Sequence, residues 1–406
     1  MQSNTYTSIM FYFMSGFTKH QSTVFLEEQK NKFSQYINEV INALPQEYTF
    51  ETIFALIEKY FPFELQLLSE GCSYYNLKDN KLSPHGKKIR HRIPKPVEIL
   101  KSLKITKRLL SFNYKKSHNK QFDKNKQQEN IYKLNQTRLP KINKIKTKIE
   151  TAKKKAQLVE PMFLDKLMGL YDRKTTTQKD KVYIFKELEK YYCPKTIKFF
   201  KKKVDTEYNM QLRRMAFLHM QGFMHFVTLR KQKYMRIPSK NKKRRKHLKT
   251  VYAYEKFSIE SIPEELEYRI NNSNEQKLKK FDFFISHSSI DFKEVQTLIH
   301  ALNKQKQDVY CDWMNDTDYL KRNLLSDATK TVIEKRLDQS KNVIFVNSHD
   351  SQESKWVKYE LNYFHSLNRS IFEVSLEELK NGKFNYQKLT NMWFLDKEFK
   401  KIDLLN

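Results

Sequence analysis

Through the N-terminal half of the chain, apolar positions recur at helical spacing between long polar stretches. The run from Thr49 to Ile57 keeps that pattern to Tyr60, and Pro62 stops it. A second helical tract starts near Pro94 and Pro96, and lysine-rich segments with few aromatics fill about residues 101–155, as long solvated helices or as partly disordered chain. Farther on, Val182, Tyr183, Phe185 and Leu188 share one side, Cys193-Pro194 makes a break, and Ile197, Phe199 and Phe200 follow. With Met210 to Leu229, also helical by spacing, this predicts two or three antiparallel helices. The basic run Lys240–Lys246 closes the block, and the acidic stretch Glu260–Glu267 with Asn271, Asn272 and Asn274 reads as a linker.

Beyond the linker the period changes. Phe281–Ser286, Val309–Trp313, Asn342–Asn347 and Ile371–Val374 are short apolar runs of strand type. Between them lie a helix opened by Asp291 and Glu294 in a capping pattern, a helix carrying Leu325, Ala328 and Val332, and a helix from Ser354 to Leu367. Strands alternating with amphipathic helices predict a parallel, doubly wound sheet that takes ligands at the carboxyl ends of its strands.

Charge sharpens these boundaries. Of the formal net charge of +31, residues 81–250 carry +37, residues 1–80 carry -4, and residues 281–406 carry -1. Four segments follow: a small helical unit at 1–80, a basic helical region at 81–250, a linker at 251–278, and an α/β domain with a C-terminal extension at 279–406. The basic block offers lysines and arginines to phosphate, along 101–155 and 240–246. Equally, charge runs are solvated faces, and a chain rich in Lys, Asn, Ile, Phe and Tyr is what an AT-rich genome encodes.

Composition excludes several classes. Six glycines include no phosphate-cradling loop motif, and Cys72, Cys193 and Cys311 have neither zinc nor disulfide spacing. No metal is expected. Ile9–Phe17 is apolar but too short for a membrane span and lacks a cleavage site, so a cytoplasmic chain with no membrane partner is expected.

The sequences F-D-F-F-I-S-H-S-S from Phe281, V-Y-C-D-W from Val309, N-V-I-F-V-N-S from Asn342 and S-K-W-V-K-Y-E-L from Ser354 come in the order of a Toll/interleukin-1 receptor (TIR) domain. Over residues 279–375 the chain resembles this family, and its Trp356…Tyr359-Glu360-Leu361…Tyr363-Phe364 pattern is most similar to bacterial anti-phage TIR proteins of the Thoeris kind. The resemblance implies a flavodoxin-like sheet and cleavage of NAD, as substrate rather than cofactor, to nicotinamide and ADP-ribose or a cyclic variant. It also implies that Glu360 is the catalytic glutamate. The chemistry suits one carboxylate: nicotinamide leaves a cationic ring as a neutral base, and positive charge builds on the ribose. Val357, Leu361 and Phe364 form the core stripe of that helix, so Glu360, with Trp356 and Tyr363 on the neighbouring stripe, sits at the edge of the core.

Substrate-binding candidates are Ser286, Ser288 and Ser289 after the first strand, Asp312 and Trp313 after the second, and Trp356. Each has a plainer role, as a helix cap for the serines and as core for the aromatics. His287 reads as loop structure and Cys311 as a buried, inert thiol. In the family the loop over 314–322 makes contacts between domains, which implies self-association through Asp316, Asp318, Lys321 and Arg322. Residues 281–375 contain no glycine, and Asn303 is expected to supply the left-handed cap. The function expected is a bacterial immune effector whose helical region senses a trigger, nucleic acid or another phage product, and controls assembly. The alternatives are a non-catalytic TIR adaptor and a nucleic-acid binder with an accessory TIR domain.

Overall fold

A computed structural model describes residues 17–404 apart from 83, 85, 87, 88, 230, 233, 234, 236 and 238. The Ile9–Phe17 run thus lies outside the described residues up to position 16. The chain divides into two units, one of residues 1–150 and 220–234 and one of residues 151–219 and 235–406.

The first unit is helical: α1 (Phe17–Val40), α2 (Phe50–Tyr60), α3 (Pro62–Leu82), α4 (Pro96–Ser102), α5 (Lys104–Leu109), α6 (Phe112–Gln121) and α7 (Lys124–Lys154), whose last turn passes into the second unit. Pro62 both ends α2 and opens α3, because the first turn of a helix needs no N–H from it. Phe33, Ile37, Ile57, Tyr60, Phe61, Leu68, Ile99 and Leu109 are buried together. The lysine-rich segment is ordered helix: Asp123 accepts the N–H groups of Asn125 and Lys126 at 2.8 and 3.2 Å and so caps α7. Leu134 and Ile142 seat one face of α7, while Lys124, Lys126, Lys133, Lys141, Lys144 and Lys148 are exposed.

The second unit begins with α8 (Leu164–Asp172), α9 (Gln178–Glu189), α10 (Pro194–Thr206) and α11 (Met210–Gly222), whose last turn falls in the first unit and which stops short of the expected Leu229. Then come α12 (Lys242–His247), α13 (Pro263–Asn272) and α14 (Asn274–Lys277). The expected linker is therefore folded. Leu266 and Ile270 of α13 are buried with Tyr183 of α9 and with Val332, and Arg269 pairs with Glu275 at 2.5 Å.

The α/β part runs β1 (Phe281–Ser286), α15 (Phe292–Lys304), β2 (Val309–Tyr310), α16 (Asp312–Asn315), α17 (Asp327–Asp338), β3 (Ser340–Asn347), α18 (His349–Glu353), α19 (Lys355–Ser366), β4 (Ile371–Ser375), α20 (Leu376–Lys380) and β5 (Gln387–Lys388). Sheet order is β2-β1-β3-β4-β5, parallel except for β5, an antiparallel edge strand that its two exposed polar residues do not announce. Side chains alternate across the sheet: Phe284, Val343 and Phe345 pack under α17 and α19, while Phe283, Ile285, Ile344 and Val346 pack under α15. Strand β2 is shorter than expected because the chain turns into α16 at Asp312.

Residues before the α/β part complete it. Gln157 accepts the Val309 N–H at 3.1 Å and returns its amide to the Val309 carbonyl, which occupies the open edge of β2. Asn303, expected to be the left-handed cap, instead accepts the Leu158 N–H at 2.8 Å; the positive φ falls at Lys306. Asp291 does not cap α15 with its side chain but accepts the Ser348 hydroxyl at 2.6 Å. The chain changes unit at 151, 220 and 235 rather than at the expected 250 and 278, and Gln157 and Leu158, far ahead of the α/β part, bond to it directly.

Candidate active site

The order β2-β1-β3 sends the chain to opposite sides of β1, which leaves a crevice beyond the carboxyl ends of β1 and β3. Ser286 ends β1 there, wholly buried. Helix α19 is capped by the Ser354 hydroxyl, which accepts the Val357 N–H at 3.4 Å, and is anchored by buried Val357, Leu361 and Phe364. That anchoring turns Glu360 to the same point, where Ser286 Oγ donates to Glu360 Oε2 at 2.6 Å.

Glu360 is partly buried, as the stripe predicted, and desolvation pushes its carboxyl up to about 8. The Ser286 hydrogen bond opposes that rise, and the charge of Asp312 adds to it. At neutral pH the free site therefore holds a mostly protonated carboxyl. A cation entering the crevice would favour the ionised form.

The loop after β1 and helix α16 supply the other wall. His287 Nδ1 lies 3.2 Å from the Ile285 carbonyl, and Trp313 Nε1–H donates to His287 Nε2 at 3.0 Å. Asp312 Oδ1 accepts the Trp313 N–H at 2.8 Å. Ligand atoms of His287, Cys311 and Asp312 all lie within 4.8 Å of one another, but the lone pair that His287 could give a metal already accepts from Trp313. Cys311 is fully buried, and burial pushes its thiol well up, as expected of an inert residue.

The structure thus gathers Glu360, Ser286, Asp312 and Trp313, and adds His287, which sequence reasoning had set aside as loop. Its signal was its place one residue after Ser286 at a strand end. Ser288 Oγ accepts the Ile290 N–H at 3.4 Å, the capping role, and Ser289 is exposed. Trp356 packs against the cluster of Tyr359, Phe399 and Leu404.

One member of the expected assembly loop is corrected. Asp316 is 1% exposed, and its carboxylate accepts from Arg336 Nε at 2.8 Å and pairs with Lys190 at 3.3 Å, which holds it well below the usual carboxylate range. Glu187 joins Lys190 at 2.9 Å and Lys279 at 2.5 Å, and Gln276 links Arg336 to Glu187. Bound from inside its own chain, Asp316 is not free to meet a neighbour. Asp318 and Lys321 are exposed, and the Arg322 side chain lies outside the described residues.

A mainly parallel sheet with a glutamate of α19 at the core edge, facing the end of β1, defines a TIR-type α/β domain. The model of the Thoeris protein ThsB TIR-like domain matches residues 284–381. A protein of Cytobacillus dafuensis named "Putative cyclic ADP-D-ribose synthase TIR2" is 37% identical over 352 residues, 87% of this chain and 90% of that one. The "Probable 3' cyclic ADP-D-ribose synthase ThsB'" of Bacillus cereus strain MSX-D12 is 31% identical over 115 residues, 27% of this chain and 59% of that one. The chain belongs to the Thoeris-type TIR protein family. No solved structure matches it. Among the described residues no helix is long and apolar enough to cross a membrane.

Proposed function

We infer that the chain cleaves NAD at the nicotinamide–ribose bond and closes the remainder into a cyclic ADP-ribose, as an anti-phage effector. The observation that carries this is the Ser286–Glu360 pair at the crevice, with a carboxyl pushed up to about 8. The C–N bond breaks with its electron pair leaving on neutral nicotinamide, and cationic charge develops at the ribose carbon. Glu360, ionised beside that cation, stabilises it. A nucleophile within the same molecule then attacks; where that is a hydroxyl, Glu360 takes its proton, a task suited to a base whose pKa lies near neutrality. Water attacking instead gives linear ADP-ribose. The names of the relatives favour closure.

Control by assembly is part of the same proposal. A site that consumed NAD without restraint would harm its own cell, and holding many copies together through the helical region raises the effective concentration of a weakly associating domain. Asp318 and Lys321 remain on the surface for that contact. Mass spectrometry of the products formed from NAD by the full chain, across a wide dilution series, tests both parts. Cyclic product and a specific activity that climbs with concentration are expected. Absence of nicotinamide release at the highest concentration overturns the enzymatic proposal, and flat specific activity overturns control by assembly.

A further inference from the structure

His287 links the two walls of the crevice. Its neighbour Ser286 holds Glu360, while its own ring holds Trp313. Nδ1 faces the Ile285 carbonyl, an acceptor, so Nδ1 carries the proton and Nε2 offers its lone pair. The indole N–H is a donor only, so that lone pair is the complement it requires. Helix α16 is four residues long and carries both Asp312 and Trp313; the half-buried indole packs against the cluster that holds Ile285 and Met314, and the His287 bond fixes its polar edge.

The geometry points to His287 as the positioning residue of this site: it locks the Trp313 indole beside the Ser286–Glu360 pair, so that the ring offers a planar base of NAD a fixed stacking face. This rests on the NAD-cleaving proposal and adds how the substrate is held. An aromatic platform binds the planar group before and during reaction alike, so its loss weakens binding and leaves the chemical step alone. The metal alternative for His287, Cys311 and Asp312 is disfavoured by the same hydrogen bond.

The test uses the full chain and five variants: Glu360→Gln, His287→Leu, His287→Gln, Trp313→Phe and the His287→Leu/Trp313→Phe pair. KM and kcat are measured with NAD, and in the Glu360→Gln background the NAD Kd is measured by calorimetry, which needs no turnover. His287→Leu removes the acceptor at similar bulk and should raise KM and Kd about three- to tenfold, the worth of one hydrogen bond, with kcat within about twofold. His287→Gln can present a carbonyl oxygen near the Nε2 position and should restore both. Trp313→Phe keeps a ring but no N–H, so adding His287→Leu to it should cost nothing more. Additive effects, failure of Gln to rescue, or loss of kcat at constant KM overturn the proposal, as does no NAD binding in the Glu360→Gln background. Persisting turnover in Glu360→Gln itself is a separate result, which overturns the catalytic assignment while the Kd series still judges His287.

Discussion

On α7 in the first unit, lysines stand in solvent one after another, whereas in the second unit Arg336 and Asp316 are paired with their side chains wholly buried. Exposed charges on a helix face contribute little to stability and are screened by salt. Buried ones cannot lose a partner without leaving a charge stranded in a poorly polarisable interior. The difference teaches what each kind of residue does for the fold: the exposed lysines of α7 can be changed at little cost to it, whereas the Arg336–Asp316 pair holds the shape of the domain that carries the site.

The largest effect expected falls on the site itself. Glu360→Gln removes the charge facing the ribose while keeping the volume, and NAD turnover should drop at least about a hundredfold. Unchanged turnover in the folded variant would show that the crevice works without its carboxylate.

Next comes the buried network. Arg336→Met leaves Asp316 without its nearest cation and should destabilise the second unit by about 3–5 kcal/mol in urea, while Lys144→Gln on α7 should stay within ~0.5 kcal/mol. Equal costs would erase the contrast between the units. By the same reasoning a fragment starting at residue 279, just after the expected linker, lacks Gln157, Glu187 and Lys190 and should unfold more readily than one starting at 151.

A smaller effect sharpens the account of Glu360. Its folded pKa of about 8 lies above the ordinary 4.5, so the folded chain binds that proton more tightly, and the stability so gained is present at low pH and lost as pH rises from about 4.5 to 8. Glu360→Gln mimics the protonated form. Thermal melts should therefore match wild type near pH 4.5 and increasingly favour the variant as pH rises to 8.5. The wild-type kcat/KM should climb through about pH 8 and level off above it, since ionised Glu360 is the working form. A flat profile would separate the reaction from this carboxyl.

The smallest effect tests the lysines. If 101–155 meets nucleic acid, log affinity falls linearly with log salt, and each of Lys133, Lys144 and Lys148 that contacts phosphate should take about 0.9 from the slope when changed to Gln. A filter-binding titration with no binding at low salt removes this partner.

Several parts were legible before any coordinates. Short continuous apolar runs with helices between them specify the four parallel strands, buried on both faces, and the stripe of Val357, Leu361 and Phe364 puts Glu360 at the core edge, because both patterns belong to neighbours along the chain. Trp313 and Asp312 were legible as candidates since strand ends face the crevice. What could not be read was every pairing across long sequence separations. Gln157 closing the edge of β2, Lys190 holding Asp316, and α13 as packed helix rather than linker depend on polar side chains whose one-letter signature is that of solvent-facing chain.

His287 shows the same limit within the site. A histidine between serines carries no spacing signal, and its role rests on an indole 26 positions away being brought within 3.0 Å. The sequence by itself determined the alternation of elements, the location of excess charge and the catalytic candidate, because periodicity and composition are properties of neighbours along the chain. Only the tertiary structure decided which charges are buried, where the second unit begins and which side chains share the crevice, because a polar group's partner is chosen by packing, and packing joins residues that the chain keeps far apart.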